Sequence, residues 1–150
     1  MTNLEDILEG HRRLWSPSLE LGIPVIDEQH RQLVAKLEEL LKTIHQGGRY
    51  DKVLGLVAYL QRYTYEHFQT EENLMRRCKY PQVEEHIQKH DTFQGNIFKV
   101  KEFIRKHPSS QEALKLIESI MVQWYIEHIG RVDQDYAKFM RENDLLKEIK

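Results

Sequence analysis

Two helix-spaced pairs of side chains in this sequence could bind a metal ion. His67 and Glu71 are four residues apart, and so are His86 and His90. Residues four apart share one face of an α-helix, so each pair projects together. Tyr80-Pro81 lies between the pairs, whose midpoint is position 78.5, and proline there is expected to end one helix and open the next. In an antiparallel hairpin both pairs then lie at one height, roughly 15 Å from the turn at about 1.5 Å per residue. Three imidazoles and a carboxylate would face each other across the helix pair.

The same reasoning extends to the neighbouring hairpins. His30 and His67 centre on position 48.5, in the Gly47-Gly48 turn region, and His90 and His128 centre on position 109, in the Pro108-Ser109 turn. All five histidines therefore fall at one level, each on an apolar stripe. His11 belongs to an N-terminal arm, and His45 and His107 sit at helix ends, where an imidazole favours the helix dipole. A single histidine on an apolar stripe is more often a hydrogen-bonded core residue than a ligand. Five at one level beside a buried glutamate would be costly to bury unless a ligand satisfied them together. Asp133 follows His128 by five residues, about 140° away on a regular helix. On spacing alone it leaves the inward face, unless a π-turn near Gly130 brings it back.

Four helices must position these residues. The first begins near Asp27, a plausible N-cap, carries Ile26, His30, Leu33, Leu37, Leu40, Leu41 and Ile44 inward, and ends at Gln46-Gly47-Gly48. The second spans about 51–77, with Val53, Val57, Leu60, Tyr63 or Thr64, His67, Glu71 and Leu74 on its stripe. The third spans about 82–106, with Val83, His86, His90, Phe93, Ile97, Val100 and Ile104. The fourth spans about 111–142, with Ala113, Ile117, Ile120, Met121, Trp124 and His128. No strand alternation and no internal repeat appear. The fold class is all-α, an up-down-up-down four-helix bundle over residues 15–150, with residues 1–14 as an N-terminal arm and Trp15 to Pro24 as an extended loop.

Composition narrows the function. The chain has 150 residues, 40% hydrophobic and 31% charged, with a net charge of −2. Scattered basic residues argue against nucleic acid, and no apolar run reaches the roughly 20 residues that span a membrane. No secretory signal is read, and the single Cys78 fits a reducing compartment, so the expected location is cytoplasmic.

Five imidazoles with one or two carboxylates are too many for one zinc, which takes four ligands and prefers cysteine in structural sites. His86 to His90 lacks the glutamate of the zinc-protease motif, and the Glu-x-x-His pairs of ferritin-like carriers are absent. Two adjacent ions bridged by carboxylate fit better. Imidazole with carboxylate suits iron, with manganese and zinc left open.

Trp15, Gly22 to His30, His67 to Glu72, Tyr80-Pro81, His86 with His90, and Trp124 to Asp133 together resemble the hemerythrin family, bacterial branch, from about Trp15 to Met140. The resemblance implies a non-haem di-iron centre that binds O2 reversibly. His86, His90 and His128 would hold one iron, His30 and His67 the other, and Glu71 and Asp133 would bridge them beside an oxo or hydroxo group. The second iron would keep an open position for O2, with NO or peroxide as alternative ligands. Where the family commonly places leucine over the O2 pocket, this chain has Tyr125, so Trp124 and Tyr125 are expected to line that pocket. The phenol there would hydrogen-bond the bound ligand or admit water. The implied function is O2 storage, delivery or sensing. A di-iron peroxidase, oxidase or NO-handling enzyme is the alternative, and a structural bundle with incidental metal is disfavoured by the ligand set.

Overall fold

The computed structural model describes residues 17–107 and 111–146. The expected arm over residues 1–14, Trp15 and the break at Pro108-Ser109-Ser110 lie outside the described residues. A 3-10 turn, Pro17–Leu19, leads into α1, Pro24–His45; α2 is Tyr50–Arg77 and α3 is Val83–Lys106. The fourth rod, residues 111–142, has five segments. They are α4 (Gln111–Ile117), a π-turn (Glu118–Val122), α5 (Gln123–Glu127), a second π-turn (His128–Val132) and α6 (Asp133–Glu142). Each helix packs on its neighbours in the chain, and the fourth rod returns to α1. Short connections make successive helices antiparallel, and the result is an all-α four-helix bundle. No strand occurs among the described residues, and no helix there is long and apolar enough to cross a membrane.

Asp27 is not the N-cap expected of it. Pro24 opens α1, since its fixed φ and missing N–H suit the first helical position, and Ile23 takes the cap. Asp27, one turn in, reaches back instead. Its carboxylate accepts from the Leu21 N–H at 2.8 Å and the Gly22 N–H at 3.2 Å, pinning the incoming loop. The ends of α1 and α2 close alike. The Gly48 N–H reaches the Thr43 carbonyl at 2.8 Å, and the Tyr80 N–H reaches the Met75 carbonyl at 3.0 Å. Both closures place the preceding residue in the left-handed region, Gly47 at φ 69° and Lys79 at φ 57°. A Cβ on Gly48 would meet the Thr43 carbonyl oxygen at 2.8 Å, so only glycine fits that approach.

The stripes bury as read, with three refinements, the first that Val83 on α3 is only half-buried. On α2 it is Thr64, not Tyr63, that is buried. On the fourth rod Tyr125 is buried, while Trp124 and Ile120 are half-buried. The core divides in two. A larger apolar block is built from residues such as Leu33, Leu40, Leu60, Phe93, Ile104 and Ile117. A smaller block gathers Leu21, Ile23, Ile26, Leu74, Met75, Tyr80, Tyr136, Ala137 and Met140. Along every helix the expected metal ligands fall between the two.

Candidate metal centre

Helix periodicity delivers most of the layer. His30 comes from α1, His67 and Glu71 from α2, His86 and His90 from α3, each on a face already buried by its apolar neighbours. The fourth rod needs a different device. The Asp133 N–H bonds the His128 carbonyl, five residues back instead of four, so Asp133 takes up the face that His128 occupies. Gly130 is not sterically required there, since a Cβ would meet only the Leu19 side chain at 3.4 Å. All seven side chains are buried, at 4% exposure or less.

Their polar ends converge. The donor atoms of Glu71, His86, His90, His128 and Asp133 lie within 4.8 Å of one another, and those of His30, His67 and Glu71 form a second such group. Asp133 divides its oxygens between them. Oδ1 is 3.0 Å from Nε2 of both His86 and His128, and Oδ2 is 3.2 Å from His30 Nε2. Glu71 also spans the groups. Its Oε1 is 3.1 Å from His90 Nε2 and 3.6 Å from His67 Nε2, and its Oε2 is 3.7 Å from His30 Nε2.

These oxygens are close to nitrogens without accepting from them. Glu71 Oε1 and both Asp133 oxygens are buried and accept no aligned hydrogen bond. The Nε2 of His128 lies 3.1 Å from that of His86 and 3.2 Å from that of His90. At most one proton fits between two such nitrogens. Lone pairs therefore aim at common points from several sides, and a cation at those points would satisfy them together. Histidine and carboxylate donors suit iron, manganese or zinc.

Outer partners hold the ring orientations. His90 Nδ1 lies 2.8 Å from Glu72 Oε2, and His67 Nδ1 lies 2.7 Å from Gln29 Oε1. With Nδ1 so engaged, each ring presents Nε2 to the centre. The Tyr136 hydroxyl donates to Glu71 Oε2 at 2.7 Å. Phe68 stacks on His90 at 3.7 Å, and Trp124 stacks on His128 at 4.1 Å.

Charge in the layer is balanced locally. Burial opposes a charged His30, but Asp133 and Glu71 raise it to about 9. Burial likewise opposes a charged His90, and Glu71 and Glu72 raise it to about 9. Burial drives His67 down to about 3 and also lowers His128. Burial and Asp133 push the Glu71 carboxyl up, yet His67, His30 and His90 hold it below the usual carboxylate range. Burial pushes Asp133 up too, and His128, His30 and His86 outweigh it. Both acids are thus held ionised in the interior by the imidazoles around them.

The Tyr125 ring is buried against Phe93, and its hydroxyl lies 2.6 Å from Thr64 Oγ1. Thr64 lies one turn before His67 on α2, on the two-imidazole side. Trp124 lies on the other side, over His128, and lines a cleft of about 230 Å³ with Lys89, Glu127 and Arg131. A larger cleft of about 450 Å³ reaches His86 between Glu85, Lys89 and Asp135.

Sequence spacing placed Thr64 on the stripe as an alternative to Tyr63 but missed Glu72, Gln29 and Tyr136; of these Glu72 carried a signal, as a second acid beside Glu71. His45 and His107 are exposed at helix ends, and His11 lies outside the described residues.

The model of a hemerythrin HHE cation binding domain matches residues 21–140. A bacteriohemerythrin of Clostridium acetobutylicum is 33% identical over 128 residues, covering 82% of this chain and 97% of that protein. One from Stenotrophomonas maltophilia is 31% identical over 126 residues, 83% of this chain and 78% of its own length. A myohemerythrin of Sipunculus nudus is 22% identical over 82% of this chain and 89% of its own.

Proposed function

The chain belongs to the hemerythrin family, and on that premise we propose that it binds O2 reversibly at a pair of irons, for storage, delivery or sensing. His86, His90 and His128 would hold one iron, His30 and His67 the other, with Glu71 and Asp133 bridging. The observation that carries this reading is the division of Asp133. One oxygen faces His86 and His128 at 3.0 Å, and the other faces His30 at 3.2 Å. A carboxylate so placed suits two ions and is wasted on one. The unequal histidine count, three against two, leaves the second position one ligand short, where a diatomic molecule can enter. When bound, an iron pair supplies the electrons that hold O2 and takes them back on its release.

The protein's part is to hold and to exclude. Seven buried side chains from four helices fix the donor positions, and the apolar blocks above and below keep bulk water out. Tyr125 forms part of the wall on the two-imidazole side, its hydroxyl engaged by Thr64. Trp124 stacks over His128 on the three-imidazole side, beside clefts that reach His128 and His86. A phenol already hydrogen-bonded within the dry layer favours binding over the alternative, a di-iron redox enzyme.

Metal analysis and the optical spectrum of the reduced protein, before and after air, test the proposal together. Two irons per chain and a slowly decaying, reversible spectrum are expected. Rapid irreversible bleaching would move the assignment to the redox enzyme. One metal per chain, or zinc from iron-replete cells, would overturn the two-iron centre itself.

A further inference from the structure

Given the two-iron centre proposed above, the residues behind its ligands differ in charge. His90, on the three-imidazole side, meets the Glu72 carboxylate through Nδ1 at 2.8 Å. His67, on the two-imidazole side, meets the Gln29 amide through Nδ1 at 2.7 Å. Which end of that amide faces His67 follows from the next bond along. The Thr70 hydroxyl donates to the Glu66 carbonyl at 3.1 Å, so its oxygen is left to accept, and Gln29 Nε2 lies 3.5 Å from it. With its NH2 turned to Thr70, Gln29 offers its carbonyl oxygen to His67. Both imidazoles are therefore donors at Nδ1, one toward a carboxylate and one toward a neutral amide, and each would hold an iron through Nε2.

We propose that Glu72 and Gln29 are positioning residues that make the two iron positions electronically unequal, so that ferric charge settles first on the three-imidazole side. A carboxylate accepting Nδ1–H increases the basicity of the imidazole and hence its donation through Nε2. Its charge also acts at short range in a water-poor layer, where Coulomb attraction is weakly screened. Glu72 is 6% exposed and His90 1% exposed, so little solvent intervenes. The ring of His90 is clamped by Phe68, stacked at 3.7 Å with a 2° interplanar angle, which keeps Nδ1 aimed at Glu72. Both effects favour the higher oxidation state nearby. The neutral amide behind His67 offers no such preference. The two-imidazole side, where a ligand position is open, therefore stays ferrous more readily.

Glu72→Gln and Gln29→Glu test this in opposite directions, since each keeps an acceptor and changes only charge. Spectroelectrochemical titration would read the two one-electron potentials, and Mössbauer spectra of half-reduced, iron-enriched protein would read which environment remains ferrous. In the parent protein two separated potentials are expected, with the ferrous iron in the lower-coordinate environment. Glu72→Gln should raise the lower potential by at least tenfold in the equilibrium, about 59 mV for one electron. Gln29→Glu should lower the other potential and narrow the gap. A merely structural contact would not move the two potentials in opposite senses. Unchanged potentials in Glu72→Gln with both irons retained would overturn the inference and leave the two-iron reading standing. If Glu72→Gln loses iron, Gln29→Glu decides alone, and an unchanged gap overturns it. Fewer than two irons in the parent would overturn both.

Discussion

The two apolar blocks on either side of the polar layer are built differently. The larger draws nearly all its members from the interiors of the four helices, and the hydroxyl of its Tyr125 is satisfied by the buried Thr64. The smaller takes part of its membership from loops and turns. Leu21 and Ile23 come from the entering loop, Tyr80 from the α2–α3 turn and Met140 from the last helical turns. It also carries Tyr136, which is bonded to Glu71 in the layer itself. The larger block can be expected to hold a bundle by burial alone. The smaller block is fastened to the metal layer, and its order should follow metal occupancy.

Metal removal is the strongest way to break the comparison. Ions that bind only the folded layer add about 4 kcal/mol per site at a thousandfold excess over Kd. Calorimetry should show a large fall in Tm for metal-free protein. Hydrogen exchange should then quicken first around Leu74, Tyr80 and Met140, with Leu40 and Leu60 protected for longer. Uniform loss of protection would erase the distinction between the blocks.

Leu40→Ala probes the larger block. Leu40 is fully buried, and its truncation should cost about 2–5 kcal/mol. Denaturant titration should give nearly the same loss with and without metal, since the site is distant from the layer. A loss that depends on metal would show that the two regions are coupled.

Tyr136→Phe acts at the joint. Burial raises the Tyr136 phenol well above its usual range, with Glu71 adding to the effect, so it stays protonated as a donor. Removing the hydroxyl should cost about 1–3 kcal/mol in metal-free protein, where a Glu71 oxygen loses its partner. The cost should shrink when metal engages that carboxylate. Equal costs in both forms would count against the linkage of the smaller block to the centre.

Thr64→Val and Tyr125→Phe should show the smallest effect, about 1 kcal/mol each. Each leaves one buried hydroxyl alone, so the double variant should lose less than the sum of the two. Simple additivity would mean that the pair is not mutually satisfied.

The bundle and the level of the layer were legible because short loops turn residue counts into heights. His30, His67, His86, His90 and His128 meet at one level for that reason. The phase of the fourth rod was less legible. A regular period from Ile117 runs through Met121 to Trp124 and places that ring inside. The π-turn at Glu118–Val122 holds an extra residue and brings Tyr125 inward instead. The irregularity after His128 was readable only because Asp133 is an acid and stands five residues on. Residues 118–122 carry no comparable marker. The contacts of Glu72 and Gln29 leave no spacing signal, because their partners lie 18 and 38 positions away on other helices.

The two π-turns also have a hereditary consequence. Each holds one residue more than an α-turn, so losing a single codon there would straighten the rod without breaking it. Loss of one residue between 118 and 122 would leave Ile117 and Tyr125 seven apart, two turns of a regular helix, so His128 and Asp133 would keep their place in the layer. Loss of one residue between 129 and 132 would leave His128 and Asp133 four apart, on one face of a regular helix. Neighbouring positions such as Gly130, where a side chain has room, are free to drift in identity. Along this rod, a lineage can shed one residue at either turn and keep its ligands, whereas a loss within the regular stretches would turn those beyond it by about 100°.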